Sequence, residues 1–133
     1  MRLLSPAVTI WEHRCLVITI HTAKFGPLQI ANLYQDVYAS DEDKFCHLAR
    51  LWDRLRSKPG RPILGGDFNM TPQQVRRWTQ SIAAAVLAPS HETYATAVSE
   101  TTTDFYVADH VLCMGQANAE AVLEEPCAPH RPV

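Results

Sequence analysis

The stretch of this sequence best suited to chemistry is PILGGDFNMTP, residues 62–72, in which Asp67 and Asn69 stand two apart. An apolar run ends there in two glycines, which let the backbone leave a strand sharply. Side chains at positions i and i+2 of an extended segment point to the same side, so the carboxylate and the amide would share one side of a strand end. Such a carboxylate can take a proton from water or help to hold a divalent metal, and the amide can donate to a phosphate oxygen.

The same two residues also allow a purely structural interpretation. Aspartate and asparagine side chains are common in turns, where they accept hydrogen bonds from backbone groups two residues on. Asp67 and Asn69 therefore indicate a catalytic site only if other parts of the chain supply partners for them.

The segments around this stretch predict alternating strands and helices. Two β-branched, apolar runs, CLVITIHT (15–22) and GPLQIANLY (26–34), predict a hairpin. Apolar residues at three- and four-residue steps over 41–57, with acids first and bases last, predict a helix with Ser40 or Asp41 as its N-cap. A second helix is predicted at 71–80, with Thr71 as N-cap and Pro72 at its first position. The remaining predicted elements are strands at 8–11, 61–66 and 102–108, an ambiguous segment at 81–89, and a last strand or short helix at 119–126. This order predicts an α/β layered protein.

Composition limits the class of protein. The 133 residues allow one domain at most, and a net charge of −2 does not by itself demand nucleic acid or an anionic membrane as a partner. No apolar run approaches the ~20 residues of a membrane helix, and the N-terminus lacks the apolar core of a signal peptide. The four cysteines fit no zinc spacing, and three of them have apolar neighbours in the sequence, so we expect buried free thiols. Free thiols indicate an intracellular location, nucleus or cytoplasm.

Four segments, taken in order, resemble the motifs of the endonuclease/exonuclease/phosphatase family. They are IANLY (30–34), GGDFN (65–69), TTDFYVA (102–108) and PHRPV (129–133). The resemblance implies a DNase I-like four-layer α/β sandwich, with residues 1–133 forming a single domain that is the C-terminal portion of that fold, truncated at its N-terminus. It also implies a metal-dependent phosphodiesterase or phosphomonoesterase, and the sequence is most similar to endonuclease domains attached to reverse transcriptases.

The resemblance assigns roles to five residues. Tyr34 matches the tyrosine that contacts the scissile phosphate, and Asp67 matches the acid that orients and deprotonates the attacking water. Asn69 matches the amide that contacts the phosphate and helps to align that acid. Asp104 matches the acid that hydrogen-bonds the motif histidine, and His130 matches that histidine. An aspartate beside a histidine fixes the ring tautomer and favours the cation, which suits a charged phosphate transition state.

Further expectations concern ligands. Arg76 and Arg77 closely follow the GGDFN segment and are candidates for binding substrate phosphates. The basic residues at 50–61 have a simpler interpretation as a solvated helix end. The resemblance implies Mg²⁺ or Mn²⁺ as cofactor, with Asp67 as the metal ligand that this sequence keeps. It also implies nucleic acid as the partner, DNA rather than RNA. No membrane partner is expected.

The sequence departs from the family pattern at two places. The glutamate that principally binds the metal has no match, since Glu12 stands in the wrong context, TIWEHR. The usual Ser-Asp-His motif reads Ala128-Pro129-His130. Metal assistance is worth several kcal/mol of transition-state stabilisation. We therefore expect the chain alone to be inactive or weakly active, as a fragment of a longer element or a degenerate copy.

Two other functions remain open at this point. One is a non-catalytic remnant that binds nucleic acid or a protein partner, and the other is a phosphomonoesterase acting on small phosphorylated substrates. A sandwich lacking strands leaves a bare sheet edge, so self-association is also expected.

Overall fold

The computed structural model of the chain describes residues 2–3, 9–11, 14–90, 93–95 and 100–114. The element predicted at 119–126 and the predicted site histidine His130 lie outside these residues. No helix in the described part of the chain is long and apolar enough to cross a membrane.

Within the described residues the strands form one seven-stranded mixed sheet and one small two-stranded sheet. In chain order the strands are β1 (Arg2–Leu3), β2 (Thr9–Trp11), β3 (Cys15–Thr22), β4 (Gly26–Tyr34), β5 (Arg61–Asp67), β6 (Ala84–Leu87), β7 (Tyr94–Ala95), β8 (Glu100–Thr101) and β9 (Asp104–Asp109). The large sheet has the order β1-β3-β4-β5-β9-β6, with β2 also paired to β3, and β7 pairs with β8. The predicted hairpin is confirmed, because β4 pairs antiparallel with β3 over the whole length of β3.

The described residues contain three helices: α1 (Asp41–Arg56), α2 (Pro72–Thr79) and the short α3 (His110–Cys113), which follows β9. Helix α1 joins β4 to β5, and these two strands pair in parallel. Ser40 caps α1 by accepting from the Asp43 amide, and Thr71 caps α2 through a capping box with Gln74. Such caps satisfy amides that a helix start leaves unpaired, so both predicted helices begin where their polar residues indicate.

The core lies between α1, α2 and one face of the large sheet. Val17, Ala31, Leu64 and Val107 are consecutive Cα partners across four strands, so they form one row on this face. Each of them is at most 3% exposed. Helix α1 covers the row with its buried stripe, which consists of Leu48, Leu51, Trp52 and Leu55. This face therefore belongs to the helices, and any site built on the sheet must use an end or the opposite face.

Two predictions are refined by the structure. The segment 81–89, which the sequence left ambiguous, contains the strand β6 because it pairs with β9. The expectation of buried thiols holds for Cys15, where burial raises the pKa to about 11, but is wrong for Cys46, which is exposed on α1. Apolar neighbours in sequence do not bury a residue on a helix, because consecutive side chains point about 100° apart.

Two glycines with positive φ allow a matched test of the fold at the site. Gly66 has φ 127°, and a Cβ there would overlap the Leu33 carbonyl oxygen of the neighbouring strand. Gly26 has φ 70° in the hairpin turn, with nothing within 4 Å of a Cβ. Both substitutions by alanine add backbone strain of about 1–2 kcal/mol, and Gly66→Ala adds overpacking of about 1–3 kcal/mol more. Urea unfolding should show the larger loss for Gly66→Ala, and equal losses would contradict the close approach of β4 and β5.

Candidate active site

Three of the predicted site residues lie in one row across three neighbouring strands. Tyr34, at the end of β4, is the Cα partner of Asp67 in β5, and Asp67 is the Cα partner of Asp104 in β9. Residues directly opposite one another project from the same face, with Cβ atoms ~4.5–5.5 Å apart across an antiparallel pair. Strand pairing therefore gathers side chains that are far apart in the sequence. We call Tyr34, Asp67 and Asp104 the site row.

The site row projects from the face of the sheet opposite the helices. Leu33 and Phe105, which are the chain neighbours of Tyr34 and Asp104, are 2% and 0% exposed within the core. Because successive side chains alternate between faces, Tyr34 and Asp104 point the other way. Tyr34 is 52% exposed, and the two aspartates are half-buried. The row is thus placed to meet a ligand from outside the core.

The loop after β5 is held by the side chain of Asp67. The Asn69 backbone amide donates to Asp67 Oδ1 at 2.9 Å, which is the local turn that the structural interpretation predicts. This bond also fixes the carboxylate orientation, and a carboxylate has two oxygens with several acceptor positions. The turn and a catalytic role for Asp67 are therefore compatible.

Asn69 joins this loop to the end of β4. Its backbone lies in the left-handed region, with φ 45°, a conformation that asparagine tolerates better than most residues. The side-chain Nδ2 donates to the Gln35 carbonyl oxygen at 2.7 Å. This bond uses one of the two amide hydrogens, so the predicted contact from Asn69 to phosphate requires the other.

Tyr34 lies under a positive charge. The Arg14 guanidinium carbon is 5.6 Å from the centre of the Tyr34 ring, within cation–π range, and Arg14 Nη2 is 3.3 Å from Asp36 Oδ2. The Tyr34 amide also donates to the Arg14 carbonyl oxygen at 2.8 Å. These contacts tie the exposed tyrosine to the start of β3 and place a cation at the rim of the row.

Asp104 is anchored through its backbone. The Thr93 hydroxyl oxygen accepts from the amides of Thr103 and Asp104 at 3.0 and 2.9 Å, and Thr93 is fully buried. The Phe68 amide donates to the Thr103 carbonyl at 2.9 Å, so the loop after β5 and the start of β9 are joined directly. The predicted contact from Asp104 to His130 lies outside the described residues and stays a prediction.

The two candidate substrate arginines differ in their surroundings. Arg76 lines a cavity of about 350 Å³ together with hydroxyl-bearing side chains from α2 and from the segment before β9, namely Thr71, Ser90, Thr101 and Thr102. Arg77 is exposed and does not line this cavity. Thr71 and Thr102 stand two residues from Asn69 and Asp104 in the chain, so two lining residues of the cavity have Cα atoms within ~7 Å of those site residues.

Comparison with known proteins identifies the architecture. No family model matches the sequence, and a search of the curated proteins finds no match. Solved structures do match. The structure is similar to the endonuclease domain of TRAS1, a telomere-specific non-LTR retrotransposon, with a TM-score of 0.72 at 13% identity. It is also similar to CdtB, the biologically active subunit of cytolethal distending toxin, with a TM-score of 0.63 at 14% identity.

A third similar structure carries the family name itself. It is an endonuclease/exonuclease/phosphatase family protein from Bacteroides thetaiotaomicron, with a TM-score of 0.53 at 17% identity. The chain has the endonuclease/exonuclease/phosphatase fold. The three matches cover 94%, 98% and 71% of this chain but 64%, 56% and 41% of the respective structures. The chain therefore spans less than two thirds of each neighbour with this DNase I-like fold.

The described residues do not by themselves fit a divalent-metal site. They contain no group of three or more histidine, cysteine, aspartate or glutamate side chains able to hold an ion. Mg²⁺ prefers octahedral oxygen ligands, usually with one or two carboxylates. In this region of the endonuclease/exonuclease/phosphatase fold, Asp67 and Asp104 offer carboxylates in register, and one Asp67 oxygen already accepts the Asn69 amide.

The sequence interpretation missed four residues that contact this site: Arg14, Gln35, Thr93, and Lys44, whose Nζ donates to the Asn69 carbonyl oxygen. A signal was present for Lys44, because it precedes Leu48 by four residues and so lies on the apolar stripe of α1, where a lysine is unexpected. Thr93 gives no local signal, because its bonds to Thr103 and Asp104 depend on a long-range fold contact.

Asn69 allows its backbone and side-chain roles to be separated. Asn69→Gly removes the side-chain amide and relieves the strain of the left-handed backbone. Asn69→Ala also removes the side-chain amide but keeps the strain. We expect Asn69→Ala to be about 1–2 kcal/mol less stable than Asn69→Gly in urea unfolding. Equal stabilities would show that the positive φ at Asn69 is not maintained in solution.

Proposed function

We propose that the chain is a nuclease-type domain that binds nucleic acid through its phosphodiester backbone and, as this chain alone, cleaves it weakly or not at all. The observation that supports this most is the site row, with Asn69 beside it, on the open face of an endonuclease/exonuclease/phosphatase fold. A tyrosine, two carboxylates and an amide at one strand end suit a phosphate ester and an attacking water.

In this proposal each residue has a separate task. Asp67, oriented by the Asn69 amide, takes a proton from the attacking water. Tyr34 and the second amide hydrogen of Asn69 contact phosphate oxygens. Asp104 orients His130, whose cation stabilises charge that develops on the phosphate. Proton removal by the carboxylate alone contributes typically ~10²–10⁴-fold, which falls far short of a complete enzyme.

The substrate class and the cofactor are also proposals. The similarity to the TRAS1 endonuclease domain fits the resemblance to reverse-transcriptase-associated endonucleases noted in the sequence. On that sequence resemblance we propose DNA rather than RNA as the substrate. Magnesium or manganese remains the proposed cofactor, with Asp67 as the ligand that the described residues offer.

A second candidate is a non-catalytic module that binds nucleic acid. It is favoured by the lack of a group of three metal-ligating side chains among the described residues. The phosphomonoesterase alternative is checked with a panel of sugar and inositol phosphates. Self-association also remains a proposal, and β6 is one edge of the sheet that could take part, since among the described strands it pairs only with β9.

Binding and cleavage of DNA test the main proposal together. We expect the purified chain to bind a short duplex in fluorescence anisotropy with salt-dependent affinity, and to nick plasmid in Mg²⁺ or Mn²⁺ far below the ~1–10³ s⁻¹ of ordinary enzymes. Asp67→Asn keeps the shape but removes the base, so any nicking should fall about 100-fold or more. Duplex binding unchanged by Tyr34→Ala and Asp67→Asn, with no nicking, would favour the non-catalytic module. Failure to bind DNA would overturn the proposal.

The two adjacent arginines provide a charge-matched comparison. Both are exposed and differ by one position, but Arg76 lines the hydroxyl-rich cavity beside the site row. We expect Arg76→Ala to weaken duplex binding and to reduce the slope of log affinity against log salt by about 1, because one phosphate contact is lost. Arg77→Ala should change the slope less. Equal effects of the two substitutions would show that the cavity is not part of the binding surface.

A further inference from the structure

Lys44 is an unusual lysine because it lies inside the protein. It stands in the first turn of α1 and is 7% exposed. Burying an ammonium group is unfavourable unless hydrogen bonds replace its hydration. Lys44 Nζ donates to the backbone carbonyl oxygen of Asn69 at 3.1 Å, which connects this buried charge to the loop that carries Asp67 and Asn69.

The bond from Lys44 completes a set of three that holds Asn69. The Asn69 backbone amide donates to Asp67 Oδ1, and the Asn69 side chain donates to the Gln35 carbonyl oxygen. Lys44 Nζ donates to the Asn69 carbonyl oxygen. A left-handed non-glycine residue is maintained only where its surroundings specify it. Of these three bonds, the one from Lys44 comes from a rigid helix.

Gln35 attaches the same helix to the loop a second time. It is 1% exposed, its Nε2 donates to the Lys44 carbonyl oxygen at 2.9 Å, and its Oε1 lies 2.7 Å from His47 Nδ1. Helix α1 thus holds the side chain of Gln35, and the backbone carbonyl of Gln35 in turn holds the side chain of Asn69. Gln35 also follows Tyr34 directly, so the network adjoins two members of the site row, Tyr34 and Asp67.

We propose that Lys44 is a positioning residue for this site. It holds the Asn69 backbone so that the Asp67 carboxylate and the side-chain amide of Asn69 face the phosphate. The proposal rests on the proposed function for its consequence in binding, but the placement of the loop can be measured without any activity. A lysine that merely stabilised the fold would affect all parts of the chain alike, whereas a positioning lysine affects the loop after β5.

The test compares Lys44→Met with Lys24→Met in the full chain. Methionine keeps the unbranched length and removes the ammonium. Lys24 is an exposed lysine in the hairpin turn, at the opposite end of β3 and β4 from Tyr34, and it controls for the loss of one charge. By hydrogen exchange in NMR, Lys44→Met should speed exchange of the Asn69 backbone amide about tenfold, because the loop loses the charged hydrogen bond at the Asn69 carbonyl oxygen and opens more often. Core amides of β4 and β5 should change less than twofold, and Lys24→Met should change neither.

Duplex affinity and a rescue variant complete the test. Lys44→Met should weaken DNA binding about tenfold and Lys24→Met less than twofold, while Lys44→Arg, which keeps a cationic donor, should restore most of the Asn69 protection. Unchanged Asn69 exchange in Lys44→Met, or a uniform rise in exchange across the chain, would overturn the proposal. If the unsubstituted chain does not bind DNA, the proposed function fails, and the exchange comparison still decides the role of Lys44.

Discussion

The site depends on the register of three strands. Tyr34, Asp67 and Asp104 meet because β4 pairs in parallel with β5, and β5 pairs antiparallel with β9, so that these residues fall opposite one another. A shift of one residue in either pairing would move a member of the row to the helix-covered face. Gly66 supports this register, because β4 approaches it so closely that a Cβ would overlap the Leu33 carbonyl. Gly66, next to the catalytic candidate Asp67, is therefore required both by the packing of β4 against it and by its positive φ.

The two faces of the sheet have different roles: the helix-covered face forms the core, and the opposite face carries the site row. On one face, Phe68 and Phe105 stack at 4.2 Å between ring centres and join the core beneath α1 and α2. These two phenylalanines directly follow Asp67 and Asp104 in the chain. Each aspartate is thus coupled to a buried aromatic neighbour that anchors it, which explains how half-buried carboxylates at a sheet end can hold a definite position.

The site is also supported from residues that do not belong to it. Thr93 holds the backbone of Asp104, and Lys44 holds the backbone of Asn69. In both cases a buried side chain outside the site row makes a hydrogen bond to a main-chain group of a site residue. Similarity to larger structures of the same fold is consistent with a site whose architecture is set by the scaffold, while its chemistry depends on the individual side chains.

The sequence by itself determined the local elements and the candidate residues. Hydrophobic periodicity predicted α1, β-branched runs predicted β3 and β4, and capping residues marked where α1 and α2 begin, because all of these depend on interactions between near neighbours. Tyr34, Asp67, Asn69 and Asp104 came from the family resemblance, while the role of His130 stays a prediction. Only the tertiary structure decided that the first four converge, that Arg76 and not Arg77 borders a cavity, and that Lys44 is buried. Those facts depend on strand register and on helix placement over the sheet, which bring together residues that no short stretch of sequence relates.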